Sequence, residues 1–153
     1  MPRKQRRARR LVVGAHTYLW TLRHSHTVVG GSRTCRETLT LYPRSAAPGG
    51  ALRIVFTKGP GRFVPGGAPL GSGDVGHVRG ASLNLHEPGA VRALLDAASA
   101  RGWRPRARLT EEIDGWSLLE AAAAARAGTG VVAAPSAVPV ARTTPRAVAG
   151  RHR

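Results

Sequence analysis

Asn84 to Pro105 reads NLHEPGAVRALLDAASARGWRP, and no other stretch constrains the fold so strongly. Val91, Leu94, Leu95 and Ala98 recur at i, i+3, i+4 and i+7, which places them on one stripe of a helix. Pro88 suits the first helical position, where the N–H it lacks would have no partner anyway. Glu87 then stands at the N-cap, an acid at the positive end of the helix dipole. Gly102 is placed for a left-handed cap, Trp103 for folding back over the last turn, and Pro105 for ending the helix. The polar positions Arg92, Asp96, Ser99 and Arg101 are of mixed charge, the mark of a solvated surface rather than one that reads DNA. A helix with one apolar stripe has to cover another layer.

That layer is expected to be a sheet. Leu11 to His26 has period-2 character, with Tyr18, Trp20 and Leu22 on one face and Thr17, Leu19, Thr21 and Arg23 on the other. In Cys35 to Tyr42, Glu37, Leu39 and Leu41 alternate with Arg36, Thr38 and Thr40. In Leu52 to Thr57, Leu52, Ile54 and Phe56 face inward. The links TVVGGSRT and PRSAAPGG are turn-rich and short, which favours an antiparallel meander. Residues 75–85 are a candidate fourth strand returning to this sheet, and Arg106 to Thr110 a short further one. Asp114 to Ala127 is expected to form a second helix with Trp116, Leu119 and Ala123 on one face, although Glu120 shares it. The expected fold class is therefore α+β: a small antiparallel sheet of three to four strands with one or two helices packed on one face, and disordered basic ends.

The chain has 153 residues, enough for one domain. Its hydrophobic content is 42%, partly alanine, and its aromatic content is 5%, so the core is small. Net charge is +16, and its distribution divides the chain. Residues 1–10 hold six basic residues and no acid, and residues 128–153 hold four and no acid. Residues 11–127 hold the other 14 basic and all 8 acidic residues, a net of +6. This defines a basic N-terminal arm (1–10), a single domain (11–127) and a disordered basic tail (128–153). Only Lys4 and Lys58 are lysines, so the basicity also matches the arginine-rich output of a GC-rich coding sequence.

No stretch approaches the roughly 18 apolar residues needed to span a membrane. With Cys35 the only cysteine, no intrachain disulfide forms, and a cytoplasmic protein is expected.

Four groupings invite a chemical reading. In a strand, His24 and His26 share a face and both imidazoles can reach one metal ion. His16 shares that face but lies roughly 26 Å away at strand rise, which leaves Cys35, His77 or His86 to complete a ligand set. Two named ligands fall short of the three a catalytic zinc site uses, so no metal or other cofactor is expected. The Gly-rich stretch 58–73 offers Lys58 and Arg62 to an anion, but no phosphate-loop pattern is present and a flexible connection accounts for it. Cys35 would need a neighbouring histidine to act as a nucleophile, and is expected to be a small half-buried residue. Glu111, Glu112 and Asp114 precede the second helix, where they complement its dipole.

The remaining feature is the arm, whose Arg3, Lys4, Arg6, Arg7, Arg9 and Arg10 are the candidate nucleic-acid-binding residues. Cationic arms bind phosphates through counterion release and ignore base sequence. Tyr18 or Trp20, if exposed, would add base stacking. The expected function is a non-enzymatic binding module with DNA or RNA as partner. The alternatives are an adaptor that meets an acidic protein on its sheet face, and a metal protein built on His24 and His26.

Overall fold

The structure is a computed structural model that describes residues 7–45, 47, 49–65 and 72–129. It is an α+β fold. The main sheet has five strands: β1 (Arg9–Val13), β2 (His16–Val29), β3 (Ser32–Arg44), β4 (Leu52–Thr57) and, as the last strand in the chain, β8 (Glu111–Asp114). Between β4 and β8 come β5 (Arg62–Phe63), β6 (Asp74–His77), β7 (Ser82–Asn84) and the helix α1 (Pro88–Ala100); α2 (Trp116–Thr129) follows β8.

The antiparallel meander is present, in the order β1-β2-β3-β4, and β8 adds to it in parallel beside β4. The sheet is thus larger than expected, and mixed. Three differences from the sequence reading explain this. The stretch 11–26 is two strands, because Gly14 at φ 56° turns the chain and Val13 pairs with His16 across a two-residue loop. The added strand is Glu111–Asp114 rather than 106–110; it is anchored by the Glu111 N–H donated to the Ala51 carbonyl at 2.9 Å. Residues 75–85 do not return to the main sheet. They form β6 and β7, which join β5 in a separate three-stranded sheet.

The turn between β2 and β3 is the tightest determinant of register. Gly30 and Gly31 both have positive φ, 56° and 79°, the backbone of a two-residue hairpin turn whose twist matches its strands. Val29 therefore pairs with Ser32, and the ladder runs unbroken to Thr17 and Arg44.

Helix α1 forms as its ends predict. Glu87 is extended at the N-cap without a side-chain cap bond, and Pro88 opens the helix. The Gly102 N–H donates to the Ser99 carbonyl and the Trp103 N–H to the Ala98 carbonyl, both at 3.1 Å, closing the C-terminus over Gly102 at φ 109°. Helix α2 starts two residues later than expected, and Leu118 and Ala122 join Trp116 and Leu119 in its buried face, while Glu120 stays exposed.

One apolar cluster joins the inward residues of the main sheet to both helices and the small sheet. Every main-sheet member of it, from Tyr18 and Trp20 to Leu39, Leu41, Ile54 and Phe56, lies on the same face. The opposite face contributes nothing to that cluster.

Candidate functional site

The two faces of the β2–β3 hairpin carry different chemistry. On the inward face the side chains are apolar as far as Leu22 and Leu39, then change character. The next pair across the ladder is His24 with Glu37, and the one after is His26 with Cys35. Four chemistry-bearing side chains thus form a two-by-two block at the end of the core, where the hairpin runs on toward exposed Val28 and Val29.

Within this block the contacts are specific. The Glu37 carboxylate is 3% exposed, and its Oε1 meets His24 Nδ1 at 2.5 Å. The other ring nitrogen, Nε2, is buried without a hydrogen-bond partner among the described residues. Cys35 Sγ lies 3.3 Å from His26 Nδ1, and the two imidazole rings meet edge to face at 4.5 Å between centroids. Donor atoms of His24, His26 and Cys35 all lie within 4.8 Å of one another. Desolvation first, then the charges of Arg33 and His24, hold the His26 imidazole below its ordinary value.

Of the residues offered as a third ligand, the fold selects Cys35. His77 instead packs near the Trp116 ring and Glu120. His86 bonds to the Ser72 hydroxyl at 2.9 Å and lines, with His24, Glu37, Arg7 and Arg9, a cavity of about 330 Å³. The histidine that a reactive Cys35 would need is also present, as His26, but the thiol is buried at 6% exposure. Glu37 is the residue that reading the sequence missed. Its signal was the turn: with a two-residue loop at Gly30-Gly31, residues equally far from it face each other, which pairs His24 with Glu37 and His26 with Cys35.

The opposite face of the sheet carries cations. Alternation places Arg10 of β1, Arg23 of β2, Arg36 and Arg44 of β3 and Arg53 of β4 on it, interleaved with threonines and with Tyr42, which is 47% exposed. The acids there are Glu112 and Asp114 of β8. Glu112 pairs with Arg36 at 2.8 Å and more loosely with Arg53 at 3.7 Å. Among the described residues Arg10, Arg23 and Arg44 have no acidic partner. A shallow cavity of about 340 Å³ on this face is lined by Thr21, Arg23, Thr40, Tyr42 and Arg53.

The six arm residues therefore have different settings. Arg3, Lys4 and Arg6 lie outside the described residues. Arg7 is exposed just ahead of β1. Arg9 and Arg10 are strand residues. Arg9 turns inward, with its guanidinium 4.5 Å from the Trp20 ring centroid and donating to the His86 carbonyl, and Arg10 turns outward to the cationic face. Tyr18 and Trp20 do not offer stacking surfaces, because both are core residues at 3% and 1% exposure.

Arg62 stacks over the Trp116 ring at 5.2 Å instead of meeting Lys58 in an anion site. Glu111 and Glu112 belong to β8 and not to a helix start. Asp114 does serve the start of α2, its carboxylate accepting the Trp116 N–H at 3.2 Å. No family model, curated protein or solved structure matches the chain. No helix among the described residues is long and apolar enough to cross a membrane.

Proposed function

We propose that this protein is a non-enzymatic module that binds nucleic acid without sequence preference, and that the uncovered face of its main sheet is the principal contact surface. The observation that carries this reading is that, among the described residues, five arginines stand against two acids on a face to which no helix packs. From Arg36 to Arg44 along β3 the patch is roughly 27 Å long, and from β1 to β4 it is roughly 14 Å wide. That is room for several consecutive phosphates of one strand. Arginine forks pair with phosphate oxygens, the half-buried Thr17 and Thr21 and the exposed Thr57 add hydroxyl donors around the buried Thr38 and Thr40, and Tyr42 presents a ring on which a base can stack. Arg10, the last residue of the basic N-terminal segment, lies on this face. The single free cysteine suits a reducing compartment, and the cytoplasm is the setting we assign.

Fluorescence anisotropy with a labelled single-stranded oligonucleotide, titrated at several salt concentrations, tests the assignment. Changing Arg10, Arg23 and Arg44 together to glutamine should flatten the dependence of log K on log salt by about two units. A triple variant that binds like the parent, with an unchanged slope, overturns the sheet face as the site. Absence of oligonucleotide binding by the full chain, with retention of an acidic protein, would favour an adaptor instead.

A further inference from the structure

We propose that His24, His26 and Cys35 bind one divalent transition-metal ion of the zinc type, with Glu37 as the positioning residue that orients His24. The site is on the face opposite the cationic one and does not rest on the nucleic-acid reading.

Three features support it together. The first is placement. These four side chains follow the apolar run of Tyr18, Trp20, Leu22, Leu39 and Leu41 on this face, with Arg33 next beyond them, and the hairpin register brings two histidines, a thiol and a carboxylate into one block. The second is ligand preparation. A carboxylate on one nitrogen of a histidine, with the other nitrogen buried and without a hydrogen-bond partner among the described residues, is the arrangement in which a metal-bound histidine is normally held. The third is charge. Glu37 is buried, and a thiolate at Cys35 would bring the block to two negative charges, which a divalent cation neutralises in place. Among the described residues the carboxylate's side-chain hydrogen-bond partner is His24.

The donor set also chooses the metal. Imidazole nitrogen and thiolate sulfur favour zinc, cobalt, nickel or copper over magnesium and calcium, which take oxygen ligands. Zinc–nitrogen and zinc–sulfur bonds of about 2.0–2.3 Å put tetrahedral donors roughly 3.3–3.8 Å apart. The Cys35–His26 separation of 3.3 Å already meets this, and the full set lies within 4.8 Å. On binding, the Cys35 S–H proton leaves to solvent and the sulfur becomes a thiolate ligand.

Cobalt(II) titration of the full chain, stripped with a chelator and kept reduced, reads the site directly. The expected result is one cobalt per chain with an intense near-ultraviolet thiolate-to-cobalt band, displaced by zinc. Cys35→Ser should abolish the band, and zinc should protect the wild-type thiol from alkylation. Glu37→Gln should raise the dissociation constant about 10–100-fold while leaving the band in place. Because Cys35 and Glu37 are buried, the exposed His26→Gln is the decisive variant. It should weaken cobalt binding more than Glu37→Gln does, with an unchanged far-ultraviolet circular dichroism spectrum, whereas His16→Gln should do nothing. The proposal is overturned if the wild type shows no thiolate band, or if His26→Gln binds cobalt like the wild type.

Discussion

Tyr18 shows how much a single residue's setting depends on its neighbours. On β2 it alternates with threonine and leucine and looks like half of a surface, yet it is 3% exposed and its ring lies 6.3 Å from that of Trp103. Burial raises its phenol above the ordinary 10.0, with Asp96 adding to the effect and Arg92 opposing it. Below pH 10.0 both folded and unfolded chains keep the proton, so the contribution is fully present. As pH rises past that value the unfolded chain loses its proton first, and stability falls until the folded phenol also ionises. Tyr18→Phe should therefore lose less stability than the parent in alkaline denaturation curves. Leu95 makes the simpler case. At 2% exposure it sits in the centre of the core, and Leu95→Ala should cost about 2–5 kcal/mol in urea unfolding. A neutral effect would contradict the packing described for α1.

At the scale of the element, the β2–β3 hairpin is the structure on which both candidate sites depend. Its turn uses two glycines at positive φ, and a Cβ added at either position meets nothing within 4 Å. The cost of Gly31→Ala is then purely conformational, about 1–2 kcal/mol, read as a lower denaturation midpoint with unchanged slope. Gly30→Asn should be close to neutral, because Asn-Gly is a favoured pair for this turn. If Gly31→Ala proves as harmless as Gly30→Asn, the turn is not what sets the register. Helix α2 was legible as a helix in the sequence, but its buried face was not fully so. Its alanine run carries helix propensity but little pattern, and its buried face is decided by α1 and β7, on which it rests. The Arg126–Glu87 pair between the two helices could not be read from either helix alone.

For the whole molecule, the two faces of one sheet differ among the described residues: an apolar face closed by the helices and ending in the His–Cys–Glu block, and a cationic face to which no helix packs. Metal binding to the folded state alone would stabilise the entire domain. At zinc 100-fold above its dissociation constant the gain should be about 2.7 kcal/mol, measured as a rise in thermal midpoint that Cys35→Ser removes. Stabilisation of equal size in that variant would place the ion elsewhere on the chain.

The α+β class, an antiparallel meander with its inward residues, and helix α1 with its two ends were determined locally, by the period of apolar residues and by proline and glycine at element ends, although the stretch 11–26 that read as one strand is two. Those signals act over a few residues and survive without knowledge of the rest. What only the tertiary structure decided depends on pairing between distant segments. Glu111–Asp114 carries three acids in four residues and looks like a helix entry; it becomes a strand because β4 offers an unpaired edge beside it. Residues 75–85 looked like a returning strand, but pair with Arg62–Phe63 and each other instead. The candidate metal centre lies between these extremes. His24 and His26 were visible as a same-face pair, while Cys35 and Glu37 joined them only through register, since a ladder places side by side residues that no sequence window holds together.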